Sequence, residues 1–189
     1  IMEYSGAAVR LGYPMMIEER FNNGETDFSM QLNNIKKVAP DAVVIWANAK
    51  ESALIANQMR EMGISVPIYA SDRIVSEEFL QIAGSNAEGI VSTSPYDPNA
   101  DNQKLKEFRE AYRQRFGIEP DVFAAHAFDG MNLIVASIQE VGLNRVLIRD
   151  VLTDLKTFQG YEGVTGKIIL DESWNDIGDI WMVKVKNGK

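Results

Sequence analysis

Residues 41–72, DAVVIWANAKESALIANQMREMGISVPIYASD, decide the fold. Ala42–Trp46 is a short, unbroken apolar run, the pattern of a strand covered on both faces in a parallel sheet. Ile55, Met59 and Met62 follow at helical spacing over 51–62, and Gly63 closes that helix. Pro67 then opens a second apolar run, PIYA, at a strand start where its missing N–H is tolerated. Strand, helix, strand in so few residues is a βαβ unit. Each apolar run stops on polar residues: Trp46-Ala47-Asn48, then Ser71-Asp72. In an open parallel sheet, small ligands bind in the crevice beyond the carboxyl ends of the strands. Trp46, Asn48, Ser71 and Asp72 are therefore candidate binding residues: an indole wall, an amide, a hydroxyl and one carboxylate. That set suits a small ligand carrying a positive group, such as an amine. Structural roles compete for the same positions, since Asp72 can pair with Arg73 or cap a turn, and Trp46 can be core.

The same rhythm extends both ways. Residues 1–12 read as a helix with Ile1, Ser5, Ala8 and Leu11 on one face and Gly12 as its C-terminal cap, but no capping residue precedes Ile1, as in a truncated element. MMIEERF (15–21) reads as a strand. Thr26 or Asp27 then caps a helix that buries Phe28, Leu32 and Ile35 before Pro40. Ser76 caps a short helix through Phe79 and Ile82 that stops at Gly84. Ile90–Thr93 is a further strand, and its end, Thr93-Ser94-Pro95-Tyr96, adds a third neighbour to the ligand crevice. A helix to residue 116 carries Leu105, Phe108, Tyr112 and Phe116 on one stripe. FGIEPD (116–121) breaks the rhythm. A long helix follows over 121–141, lined by Phe123, Ala127, Met131, Ile134 and Ile138, and another over about 145–156. The rest, GVTGKIIL, the turn DESWNDIGD and IWMVKVKNG, reads as β structure. Repeated βα units define an α/β protein with a parallel sheet flanked by helices.

Composition narrows the chemistry. The 189 residues are 46% hydrophobic and 24% charged, enough to bury a core. No apolar run reaches the length of a membrane span. The net charge of −8 and the interruption of Arg109, Arg113 and Arg115 by Glu107 and Glu110 argue against nucleic acid as a partner. There is no cysteine, so disulfides, thiol catalysis and cysteine-based zinc sites are excluded. The carboxylates of Glu18-Glu19 and Asp171-Glu172 are adjacent rather than at metal-ligand spacing, and neither a P-loop nor a GxGxxG follows any strand, so no cofactor is implied. His126, the single histidine, has Asp129 at i+3 and would be the base of a hydrolase-like α/β enzyme, but no serine elbow accompanies it.

The blocks TDFSMQLNNIKKVAPDAVVIWAN, FLQIAGSNAEGIVSTSPYDP, FREAYRQRFGIEPDVFAAHAFDGMNLI and FQGYEGVTGKIILDES resemble, in order, the branched-chain amino-acid-binding proteins. These are extracytoplasmic solute receptors of ABC transporters with the type I periplasmic-binding-protein fold: two α/β lobes joined by three crossovers, with ligand between them. The resemblance covers nearly the whole chain and matches it to the C-terminal half of such a receptor. It implies that 1–118 and 178–189 belong to the second lobe, that 119–177 belongs to the first, and that the second lobe's first strand, central in its sheet, is not in this sequence. Backbone groups left open there would cost about 1–3 kcal/mol each if buried and unsatisfied. The implied partners are an amino acid or related small molecule, an ABC permease, and either the N-terminal half as a second polypeptide or a swapped copy of this chain. The implied location is periplasmic or extracellular, with anchoring through the N-terminal part an option. Residue by residue, the family's acidic contact to the ligand's amino group falls on Asp72, and a cleft aromatic falls near Phe123. An aromatic ligand contact of the family falls on Asn48, a departure that unsettles aliphatic specificity. A sensor of the same fold, reporting to a regulator or receptor, is the alternative to transport.

Overall fold

The computed structural model describes residues 2–153, 160–171, 173 and 175–189. Its elements are α1 (Met2–Arg10), α2 (Ser29–Val38), β1 (Val43–Ile45), α3 (Ala49–Glu61), β2 (Ile68–Ala70), α4 (Glu77–Ala83), β3 (Val91–Ser94), α5 (Gln103–Phe116), α6 (Val122–Val141), α7 (Arg145–Thr153), β4 (Tyr161–Glu162), β5 (Lys167–Ile168) and β6 (Trp181–Lys184), with short 3-10 turns at Asp72–Ile74 and Gly84–Ala87. The part of the helix expected beyond residue 153, and Ile1, lie outside the described residues.

One sheet has the order β1-β2-β3-β6. β1 pairs parallel with β2 (Val43↔Ile68, Ile45↔Ala70), and β2 pairs parallel with β3 (Tyr69↔Val91). The expected βαβ unit over 41–72 is therefore formed. β4 and β5 make a separate antiparallel pair.

The chain divides into two compact units, 1–92 with 183–189, and 93–182. These bounds differ from 118/119 and 177/178, the division into receptor lobes that the resemblance implies. The physical reason lies in α5: its buried Leu105 and Phe108 pack with Tyr96, Val122, Ala125 and Val164, so α5 shares a core with the start of α6. FGIEPD is thus a helix-to-helix turn inside one unit, closed by Gly117 at φ +74°.

In the first unit, Phe28, Leu32, Val43, Ile45, Ile55, Met59, Ile68, Phe79 and Ile90 form one core. Two long polar side chains of α3 tie down the loop before α2. Glu51 accepts from Gly24 N–H (3.0 Å), while Gln58 accepts from Phe28 N–H (2.8 Å) and donates to Thr26 O (2.7 Å). α2 therefore starts at Ser29, capped from α3 rather than by Thr26, while the Asp27 carboxylate accepts from Ser29 N–H at 2.9 Å. Asp27, one of the two expected caps, thus serves the first helical amide, while Gln58 holds the Phe28 amide before it.

Residues 15–21 are not a strand among the described residues. A strand needs a ladder partner, and here the Arg20 carbonyl is taken by Gln31 Nε2 (3.2 Å) while Phe21 packs edge-on against Phe28. The edge of β1 is correspondingly open. Val43 N–H donates to Pro67 O and Ile45 O accepts from Ser71 N–H, so strand alternation turns the Val44 N–H and C=O the other way. No described strand pairs on that side.

In the second unit the long helix buries a different face from the one expected. Val122, Ala125, Asp129, Leu133 and Ser137 are buried, whereas Phe123, Met131 and Ile134 are 48%, 62% and 44% exposed. α6 is apolar on most sides, so periodicity alone gives no unique inner face. Asp129 selects it. Its carboxylate, 1% exposed, accepts from Val164 N–H, Thr165 N–H and Thr165 Oγ1 at 2.7–2.8 Å. Gly163 makes this approach feasible, because a Cβ there would collide with the Asp129 carboxylate.

Candidate functional site

The carboxyl ends of β1 and β2 bring together four of the five expected site residues, all in the first unit. β1 is short because the chain turns at Ala47 into α3. Trp46 is left on the rim with 70% of its surface exposed, so it is a wall facing solvent and not core. Asn48 occupies the N-cap of α3 but makes no side-chain cap bond; its amide Nδ2 instead lies 3.5 Å from Asn23 Oδ1. The Asn48 side chain is thus turned toward Asn23 and not onto its own helix.

Asp72 opens the 3-10 turn after β2 and is partly exposed. Among the described residues no ion pair reaches its carboxylate. Ser71 has another task. It is 2% exposed, and its hydroxyl donates to Ala47 O at 3.2 Å; Ser92 Oγ in turn donates to Ser71 O at 2.9 Å. These two hydroxyl-to-carbonyl bonds stitch three successive strand ends together and hold the rim in place. Ser71 thus supports the site from below, with its hydroxyl already committed.

Phe123 is not brought to this rim. It sits at the start of α6 in the second unit, half exposed. Tyr96, which the sequence placed beside a third strand end, is 3% exposed and part of the core with Leu105, Phe108 and Val122. Burial pushes its phenol pKa up. Ser94 is also buried, its hydroxyl donating to Tyr96 O at 2.7 Å. The third strand end is therefore closed by its own hydrogen bonds.

The hydrolase geometry does not form. His126 Nδ1 lies 2.7 Å from Val122 O within its own helix, and both oxygens of Asp129 are occupied by the 164–165 loop. Among the described residues no cluster of acids and histidine is placed to hold a metal ion. A cavity of about 590 Å³ lies elsewhere, between α5, α6 and β4, lined by Phe108, Tyr112, Phe116, Phe128 and Tyr161. It contains none of the rim residues.

What sequence reasoning missed is Asn23. It stands 25 positions before Asn48 in a surface turn, and only the fixing of that turn by Glu51 brings the two amides together.

Residues 3–189 match the family model of the periplasmic binding proteins. The chain belongs to that family, with the type I fold. It is 33% identical over 165 residues to a Leu/Ile/Val-binding protein homolog 2 of Brucella abortus, a match covering 85% of this chain and 42% of the relative. Among solved structures it is similar to the leucine-binding protein LivK of Thermotoga maritima (TM-score 0.81, 32% identity, 89% of this chain and 48% of that one). It is equally similar to the branched-chain amino-acid transporter substrate-binding protein LivJ of Streptococcus pneumoniae, solved with isoleucine (TM-score 0.81, 32% identity, 97% and 53%). The chain spans about half the length of the relatives it matches. The family and fold are those of solute-binding proteins and not of enzymes. No described helix is long and apolar enough to cross a membrane.

Proposed function

We propose that this chain is part of the solute-binding component of an ABC transporter, acting in the periplasm or outside the cell, and that it takes a branched-chain or related amino acid between two lobes. The observation that carries the reading is Asp72, a partly exposed carboxylate with no ion pair among the described residues, on the same rim as exposed Trp46 and Asn48. An unpaired carboxylate beside an aromatic face suits an ammonium group, which gains a charge-assisted hydrogen bond and a cation–π contact there. Asp72 takes the amino group, Trp46 forms the wall, and Asn48 contributes an amide at the position where the resemblance implies an aromatic. Phe123 is assigned to the opposite lobe. On this reading 1–118 and 178–189 belong to the second lobe and 119–177 to the first; closure of the two lobes on the ligand is the form a permease reads.

The same reading assigns the rest of the receptor's length to two open surfaces: the unpaired edge of β1, and the apolar face of α6 with Phe128, Met131 and Val135 exposed. A strand from the N-terminal half completes the sheet at β1.

A charge-assisted hydrogen bond contributes about 1.5–3 kcal/mol, so Asp72→Ala in the complete receptor weakens leucine binding roughly ten- to a hundred-fold. Isothermal titration calorimetry with leucine measures it. Unchanged affinity removes Asp72 from the site.

A further inference from the structure

We propose that Asn23 is a site of spontaneous covalent modification, deamidating to aspartate and isoaspartate with Glu51 as proton acceptor, and that the new carboxylate stands against Asn48. Asn23 and Gly24 form the tip of an exposed turn in which Glu25 N–H donates to Asn22 O at 3.1 Å. Gly24 has φ +85°, and nothing lies within 4 Å of where its Cβ would be, so neither a side chain nor packing crowds the residue that follows Asn23. Its N–H points at Glu51 Oε1, 3.0 Å away, and Glu51 is only 6% exposed. A fixed carboxylate on that N–H is placed as a general base for the one nitrogen that must become nucleophilic.

The step balances with water as the only co-reactant. Gly24 N bonds to Asn23 Cγ and gives up its proton toward Glu51, the Cγ–Nδ2 bond breaks, and the amide nitrogen leaves with that proton as ammonia. Water then opens the five-membered succinimide at either carbonyl, leaving a carboxylate at position 23. Asn48 Nδ2 already lies 3.5 Å from Asn23 Oδ1, so the charge appears beside a candidate ligand contact. Its bearing on ligand binding rests on the reading of that rim as the cleft; the modification itself does not, and mass alone reads it.

The sequence supplies an internal control. Asn187-Gly188 is the one other asparagine–glycine pair, and no described carboxylate meets the Gly188 N–H. The chain is incubated at mildly alkaline pH and 21–36 and the C-terminal peptide are followed by fragmentation mass spectrometry. The expected result is conversion at Asn23, with Asn22, Asn33 and Asn34 unchanged in the same peptide. Asn23→Gln abolishes that product. Glu51→Gln, which keeps an acceptor oxygen but not the base, slows conversion at Asn23 and leaves Asn187 unaffected. Retention of the Asn23 amide while Asn187 converts overturns the proposal. An equal or faster rate at Asn23 in Glu51→Gln overturns the role of Glu51.

Discussion

The two compact units are held by different forces. In the first, Phe28, Leu32, Met59, Ile68, Phe79 and Ile90 are each 0–1% exposed and lie in one continuous apolar core. In the second, the core is a small cluster around Leu105, Phe108 and Val122, and polar latches carry much of the order. Asp129 gathers the 164–165 loop, Asn102 Nδ2 donates to Gly163 O at 2.9 Å, and Lys104 Nζ donates to Glu162 O at 2.5 Å. The contrast teaches where apolar area has gone. The first unit buries its apolar side chains internally, whereas the second leaves a whole face of α6 in solvent.

Truncating the apolar core of the first unit gives the largest expected loss. Phe79 is 1% exposed and its helix is pinned by Ser76, whose Oγ accepts from Phe79 N–H at 3.3 Å. Phe79→Ala therefore costs about 3–5 kcal/mol by lost transfer energy and the cavity left behind. Two units need not unfold together, so residue-level hydrogen exchange is the appropriate reading rather than one midpoint. Protection falls at Ile68 and Ile90 and holds at Val164. Parallel loss at Val164 would show that the two units unfold as one and erase the comparison.

Asp129→Ala tests the second unit by a polar route. The variant leaves three donors facing a site with no acceptor, each buried donor costing about 1–3 kcal/mol less whatever water recovers. The net expectation is about 3 kcal/mol, appearing as lost exchange protection at Val164 and Thr165 with the first unit's core amides unchanged. An effect below about 1 kcal/mol would mean that water replaces the carboxylate and that the small apolar cluster suffices.

The same contrast explains what the sequence made legible. In the first unit, apolar runs bounded by turn residues and helical spacing agreed with one another, and the strands, α3, the Ser76 cap and the rim followed directly. The place of Asp72, Asn48 and Trp46 at strand ends was readable because strand ends announce themselves where apolar runs stop. The role of Ser71 was not, since a hydroxyl spent on Ala47 O reads in sequence like one offered to a ligand. The 15–21 strand failed for a related reason: alternation specifies a strand's faces, but its partner is a nonlocal fact. In the second unit periodicity had no purchase. α6 offers apolar residues on every side, and the inner face was set by a buried carboxylate 35 positions from its partner Val164. The buried stripe of α5 likewise says that it packs and does not say against what.

The smallest expected effect sharpens the comparison furthest. Met131 is 62% exposed on the uncovered face of α6, and a surface substitution away from caps and buried bonds changes stability by about 0.5 kcal/mol or less. Met131→Lys should therefore leave urea unfolding of this chain unaltered. If the face is a docking surface for the rest of the receptor, the lysine places a charge against apolar surface, where an unpaired ion costs several kcal/mol. The same substitution in the complete receptor then lowers stability well beyond its effect here. Equal, negligible effects in both would mean that α6 faces solvent in the receptor as well. The second unit's small core would then be its full complement, and the two units would differ in kind rather than in completeness.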